Sequence, residues 1–310
     1  MFLFNYSVRL FRSVSSVFSM KMTQEISSES KYANCKRLMN VIGSEGKSNN
    51  IIVCLPENSR QCKQHVIYFG GDVQDYIENM ENHYTNQNYA KWNLESTAQL
   101  LQSKFKDSTV IVVKPSKMLL KTFSIYENFL SFDVDGLPEF DCDSGALLHL
   151  SKLYNNVINK LSDENLTSSK SPGDIDVDVK IVGFSKGCVV LTKLMFELKT
   201  YENDKTVQDF LKKVSTFCWL DGGHNGRKHA YITDDAVVKY IKDLDKQIYV
   251  LVTPYQVQCP NRKWIGREER QFVYKLEAMN AKVKEYQFFM DDPPSIENHF
   301  QVLTKVDAVD

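Results

Sequence analysis

Glycines two residues to either side of a serine, in Gly183-Phe184-Ser185-Lys186-Gly187, mark the stretch of this sequence with the clearest chemical potential. An alcohol is a weak nucleophile at neutral pH. To attack a carbonyl it needs an adjacent base, an open position, and donors that stabilise the charge developing on oxygen. Gly-x-Ser-x-Gly provides the open position when it joins a strand to a helix, because the serine then stands at the tip of a sharp turn. The glycines answer crowding, since so tight a turn leaves little room for a Cβ at Gly183 or Gly187. The helix that starts there sets the Lys186 backbone N–H beside the place an oxyanion would form. A five-residue pattern also arises by chance, in which case Ser185 only begins a helix. The flanks favour the elbow: Val177, Val179, Ile181 and Val182 make a β-branched buried strand. Val189, Val190, Leu194, Met195, Phe196 and Leu198 make an apolar helix of the kind that lies against a central sheet.

In an open α/β sheet the reacting groups lie beyond the carboxyl ends of the strands, and this rule filters the possible partners of the serine. Of six histidines, His65 enters its strand from the wrong end, His149 falls in a predicted helix and His83 in a polar linker. His299, after a last predicted strand at 283–289, is the expected base. The usual supplier of the acid is the loop after the strand predicted at 248–252, yet residues 253–267 contain no Asp or Glu. That leaves Asp221, at the carboxyl end of a strand predicted at 216–220 and followed by Gly222-Gly223-His224. The order serine, acid, histidine is the hydrolase order. Asp243 and Asp245 precede a strand and face the opposite edge, Asp291 and Asp292 share a loop with His299 and are a second choice, and His224 would break the order. Gly70 and Gly71 follow a predicted strand at 66–69 and are candidates for the second oxyanion donor, because bare backbone lets an N–H approach closely. An ordinary turn after a strand is the alternative.

The elements that must hold these groups alternate along the chain. Strands are expected at 51–55, 66–69, 109–113, 216–220, 248–252 and 283–289, besides the one entering the elbow. Helices are expected at 31–41, 90–105, 146–161, 207–214, 235–244 and 267–279, besides the one leaving it. Strand, helix and strand in close succession imply an α/β fold with a mostly parallel central sheet and helices on both faces, in one domain spanning 31–310. Residues 118–143, irregular and aromatic, either cover the mouth of a site or pack. Residues 162–176 read as a polar surface connector. Gly46-Lys47-Ser48 resembles the end of a phosphate loop, but Val41 stands where that loop needs glycine.

A chain of 310 residues, 43% hydrophobic, can bury a substantial core. Its 38 basic and 39 acidic residues leave a net charge of -1, which gives no sign of a nucleic-acid partner. Seven cysteines without a Cys-x-x-Cys pair offer no zinc spacing and are expected to be reduced and structural. Nothing in the chemistry above calls for a metal or cofactor. Residues 1–24 carry Arg9, Arg12, Lys21 and five serines, with no acidic residue before Glu25, as a mitochondrial targeting segment would. On a helix, Leu3, Tyr6, Leu10, Val14, Val17 and Phe18 share one face, with Arg9, Arg12, Ser13 and Ser16 opposite. Arg9 and Arg12 interrupt the apolar run that a secretory signal needs. Residues 1–30 are therefore expected to be a targeting segment and disordered lead. No later run approaches the ~20 apolar residues that span a bilayer, so the mature protein is expected to be soluble.

Several unusual motifs occur in one order: Gly-Phe-Ser-Lys-Gly-Cys-Val-Val-Leu at 183–191, Trp-Leu-Asp-Gly-Gly-His at 219–224, Val-Thr-Pro-Tyr-Gln-Val at 252–257, Trp264-Ile265-Gly266, and Pro-Ser-Ile-Glu-Asn-His-Phe at 294–300. Together they resemble the chromosome 2 open reading frame 69 family of mitochondrial proteins over roughly residues 35–301. The resemblance implies an α/β-hydrolase-like fold, a mitochondrial location and involvement in respiratory-chain maintenance. It implies no substrate. The residues themselves point to a serine hydrolase of the mitochondrial matrix acting on a small-molecule or lipid-like ester or thioester. A catalytically silent hydrolase-like binding or regulatory protein is the alternative.

Overall fold

Runs of β-branched and aromatic residues assemble into one eight-stranded sheet in the computed structural model, which describes residues 32–309 apart from 58, 60–61, 63, 141–142, 167–176 and 227. The expected targeting segment and most of the 162–176 connector lie outside these residues. In chain order the strands of the sheet are β1 (Cys35–Ile42), β2 (Ser48–Cys54), β3 (Gln64–Phe69) and β4 (Ser108–Val113). Two small hairpins follow, β5 (Lys117–Leu119) with β6 (Phe123–Ile125) and β7 (Ser131–Phe132) with β8 (Pro138–Glu139). The sheet then continues through β9 (Asp178–Phe184), β10 (Val214–Leu220), β11 (Gln247–Val252) and β12 (Val283–Gln287). Across the sheet the order is β1-β2-β4-β3-β9-β10-β11-β12. The pairs β1/β2 and β2/β4 are antiparallel and the rest parallel. This is the α/β-hydrolase-like arrangement, and it brings the carboxyl ends of β3, β9, β10 and β11 to one edge.

The central strands alternate strictly between two cores. Ile67, Phe69, Val179, Ile181, Phe217 and Trp219 pack on one face, Val66, Tyr68, Val182, Phe184, Cys218 and Leu220 on the other. A period of two with both faces apolar is what a strand covered on both sides requires. The first face is covered by α3 (Ala146–Asp163), α4 (Cys188–Phe196), α5 (Lys205–Lys213), α6 (Asp235–Asp243) and α8 (Lys263–Ala278). On the second face lie α2 (Leu94–Lys104) and the C-terminal Val302, Leu303 and Val306. Short α1 (Ile77–Glu81), α7 (Pro254–Val257) and α9 (Ile296–Gln301) sit in loops at the carboxyl edge.

Three expectations are corrected. Of the helix expected at 31–41, the described residues 32–41 form none; they enter β1, an antiparallel edge strand. Its two buried apolar residues, Leu38 and Val41, stand three apart because a register shift falls between them, with Asn40 at φ 50°. A bulge thus mimics helical spacing. The helix expected at 90–105 is divided: a 3₁₀ turn, Asn86–Trp92, precedes Asn93, whose side chain caps α2 by accepting from the Ser96 N–H at 2.8 Å. The cysteines are not all reduced, since Cys35 and Cys54, opposite each other in the β1/β2 register, are joined as a disulfide. Cys62, Cys188, Cys218 and Cys259 are free thiols.

Candidate active site

The end of β9 turns into α4 through Ser185, which adopts φ 53°, a left-handed conformation that a side chain with a Cβ rarely takes. The turn is held by close backbone packing. A Cβ at Gly187 would lie 2.1 Å from the Phe69 carbonyl oxygen and 2.6 Å from that of Gly70, and one at Gly183 would lie 3.0 Å from Cys188 Cα. Gly187 therefore admits the end of β3 against the elbow. A Cβ at Gly71 would come within 2.6 Å of Ser185 Cβ and 3.2 Å of its Oγ, so the loop after β3 runs directly over the serine. Ser185 is 7% exposed.

The remaining groups arrive from the end of β10 and from the loop after β12. Asp221, at φ 45°, follows β10 and is wholly buried, and His299 lies in α9, 78 residues further on. Their side chains meet through His299 Nδ1 and Asp221 Oδ2 at 2.6 Å. That contact leaves Nε2 as the nitrogen free to exchange a proton. Flat rings flank the imidazole: Tyr255 stacks on it with centroids 4.5 Å apart and Phe184 packs at 4.6 Å, both within 30° of parallel. Asp221 accepts two further bonds, from the Thr253 N–H to Oδ1 at 2.8 Å and from the Thr253 hydroxyl to Oδ2 at 2.6 Å. A buried carboxylate with three donors is an acceptor compensated for the water it has lost. Among the described residues no hydrogen bond joins Ser185 Oγ to His299. Such contacts are often long before substrate binds.

The other residues singled out in the sequence are placed as follows. Gly71 donates its N–H to Gln74 Oε1 at 3.0 Å, so this donor is already engaged, whereas Gly70 receives the Tyr126 hydroxyl on its carbonyl at 2.9 Å. Lys186, next to Ser185, is buried. Its Nζ donates to the Gly136 carbonyl at 3.1 Å and lies 4.0 Å from Asp72 Oδ1. Desolvation lowers the Lys186 pKa and raises that of Asp72, and in each case the charge of the other opposes the shift. Residues 118–140 pack onto this pair and onto the loop after β3: Asp72 Oδ1 accepts from the Ser124 N–H at 2.8 Å and hydroxyl at 3.1 Å. His224 stands outside the Asp221–His299 pair. Burial lowers its pKa to about 4, and its Nδ1 accepts from the Gly226 N–H at 2.9 Å. His65 bonds the Tyr154 hydroxyl at 2.8 Å, His149 bonds Asn49 at 2.8 Å, and His83 accepts from the Asn86 N–H at 3.2 Å, each away from Ser185. Asp292 is exposed and bonds Asn298 at 3.1 Å; Asp243 and Asp245 pair with Lys242 and Lys282. Among the described residues no group of three or more His, Cys, Asp or Glu is placed to hold a metal ion. None of the described helices is long and apolar enough to cross a membrane. Thr253, Tyr255 and Gln74 escaped sequence reasoning. The only trace of Thr253 was its place at the strand end where a carboxylate was sought.

The profile of the C2orf69 family matches residues 37–177 and 167–282 of the chain. The chain is similar to mitochondrial protein C2orf69 of Homo sapiens, with 33% identity over 337 residues, covering 89% of this chain and 88% of the human protein. It is 34% identical over 290 residues to the Danio rerio homolog, covering 87% and 85% of the two chains. Among solved structures, a variant of the esterase Est22 shares the fold at a TM-score of 0.50 and 13% identity, over 90% of this chain and 81% of that one. A dienelactone hydrolase from Anabaena variabilis matches at a TM-score of 0.45 and 12% identity, over 89% and 95%.

Proposed function

The chain belongs to the C2orf69 family, whose relatives above are named mitochondrial proteins, and from that premise we propose that it is a mitochondrial serine hydrolase cleaving an ester or thioester. Ser185 attacks the carbonyl, His299 Nε2 takes the hydroxyl proton and returns it to the leaving group, and Asp221 holds the imidazole with its proton on Nδ1. The Lys186 N–H and an N–H of the loop after β3, that of Gly70 or of Gly71, hold the oxyanion; Gly71 lies against Ser185, and its N–H has to leave Gln74 to serve. The observation that carries the reading is the conjunction of a left-handed Ser185 at a strand-to-helix turn with a buried Asp221–His299 pair at 2.6 Å, assembled at the carboxyl edge of the sheet. A structural relic has no need to keep a serine at φ 53°, a conformation costing on the order of 1–3 kcal/mol.

The substrate in this reading is a small-molecule or lipid-like ester, and the enzyme acts in the matrix in support of respiratory-chain maintenance. The test is labelling of the purified protein with a fluorophosphonate probe. The wild type should be modified at Ser185, and Ser185→Ala should be unlabelled, with any esterase activity lowered by on the order of 10⁴-fold or more at an unchanged melting temperature. A wild type that does not react, or a Ser185→Ala variant that turns over undiminished, rejects the nucleophile and favours a binding protein on a hydrolase fold.

A further inference from the structure

The end of β11 is where the acid was sought and where no carboxylate stands. The residue found there is Thr253, fully buried, and both of its donors go to one side chain: the N–H to Asp221 Oδ1 at 2.8 Å, the hydroxyl to Oδ2 at 2.6 Å. The geometry points to Thr253 as a positioning residue of the proposed hydrolase, fixing Asp221 in the one orientation that presents Oδ2 to His299. The inference rests on the reading of Ser185, Asp221 and His299 given above.

A carboxylate rotates easily about its last bond, where the torsional preference is broad and two-fold, so one contact with an imidazole does not determine which oxygen faces it or at what angle. Two donors from a single rigid residue pin both oxygens at once. Next, the hydroxyl of a threonine can donate or accept, and here its role is set: the Tyr255 N–H donates to Thr253 Oγ1 at 3.3 Å, which leaves the hydroxyl proton for Asp221. That bond caps α7, so the residue that orients the acid also sets the start of the helix carrying Tyr255. Tyr255 is one of the two rings lying on His299, and Thr253 thus acts on the imidazole through its acid partner and through its stacking partner.

The missing carboxylate follows from the strand register. In the β10/β11 register Leu220 lies opposite Leu251, so the residues just beyond the two strands are neighbours. An acid at the end of β10 demands a donor at the end of β11. A second carboxylate at that position would meet Asp221 in a buried site, where like charges force one of the two to stay protonated.

Thr253→Val removes the hydroxyl while keeping the shape, and Thr253→Ser keeps the hydroxyl. The readouts are the second-order rate of Ser185 modification by the fluorophosphonate, kcat and KM with p-nitrophenyl acetate, and the downfield proton resonance of His299 Nδ1–H, identified by its loss in His299→Ala. Thr253→Val should lower the labelling rate and kcat by about 10- to 100-fold, with KM within about twofold, as loss of a hydrogen bond to a charged group does. It should also move the downfield resonance, whereas Thr253→Ser should stay within about threefold of the wild type. If the valine variant does not fold, Thr253→Ala against Thr253→Ser isolates the same hydroxyl. A wild type that labels at Ser185 together with a Thr253→Val variant that labels equally fast and keeps the resonance overturns the role of Thr253 alone. So does a serine variant as impaired as the valine one. A wild type unreactive at Ser185 overturns the hydrolase reading, and this inference with it.

Discussion

Asp221→Asn changes one atom of the chain and sets two hydrogen-bond requirements against each other. In the wild type, Oδ1 accepts from the Thr253 N–H, and Oδ2 accepts from both the Thr253 hydroxyl and His299 Nδ1. An asparagine that keeps its carbonyl toward the Thr253 N–H turns its NH₂ toward the imidazole. Nδ1 must then accept, so the ring proton moves to Nε2, the atom that receives the serine proton in the proposed reaction. Flipping the amide restores the tautomer but sets NH₂ against the Thr253 N–H, two buried donors facing each other at a cost of about 2 kcal/mol. That cost holds the productive arrangement to about one molecule in thirty, and loss of the negative charge beside the imidazolium adds a further factor of about ten to a hundred. Activity should therefore fall by on the order of 10² to 10⁴-fold, measured as kcat with p-nitrophenyl acetate and as the rate of probe labelling, with a melting transition that remains cooperative. Asp291→Asn and Asp292→Asn should change either rate by less than about twofold. Adding Asp221→Asn to His299→Ala should cost little beyond His299→Ala alone, because residues that act as a unit are not additive. If the two losses multiply instead, Asp221 acts independently of His299, and the acid must be sought at Asp291 or Asp292.

Gly187→Ala should disturb the elbow through the backbone, since its Cβ would sit 2.1 Å from the Phe69 carbonyl oxygen; a drop in melting temperature of about 5–10 °C together with loss of labelling is expected. An unchanged melting curve would refute the packing argument. Burial, with Glu285 adding its charge, raises the carboxyl of Glu269 to about 7. The folded protein then keeps a proton that the unfolded chain releases, so stability declines as pH rises from about 4.5 to 7, by about 3 kcal/mol in all. Glu269→Gln should accordingly raise the melting temperature more at pH 8 than at pH 5, and equal shifts at the two pH values would contradict it. Removing residues 1–24 changes the formal charge from -1 to -4 and should abolish import into isolated mitochondria; normal import of the truncated chain would reject the targeting segment.

What could be read from the sequence was local in its physics. The turn at Ser185 is specified within a few residues, because a β-branched strand, two glycines and an apolar helix each declare themselves by period and by the space they need. The placement of Asp221 and His299 followed from one global rule, that strand ends carry the chemistry. Their direct contact was a deduction from chain order, and the folded chain brings the two side chains to 2.6 Å. The bulge of edge strand β1 spaces Leu38 and Val41 as a helix would, so the local pattern there is helical. The Cys35–Cys54 bond has no local signature, since only the antiparallel register sets those two residues opposite each other.

By itself, then, the sequence determined the wound α/β pattern, the elbow and the identities of the residues gathered at the carboxyl edge, all of which depend on periodicity and on steric demands between neighbours along the chain. Tertiary structure alone decided that Thr253 donates twice to Asp221, that Tyr255 and Phe184 flank His299, that Gln74 occupies the Gly71 N–H, and that Gly136 and Ser124 bond Lys186 and Asp72. Each of these is a contact between side chains or backbone groups brought together by strand register and loop packing, and the direction of a hydrogen bond or the stacking of a ring has no signature in the order of residues along a chain.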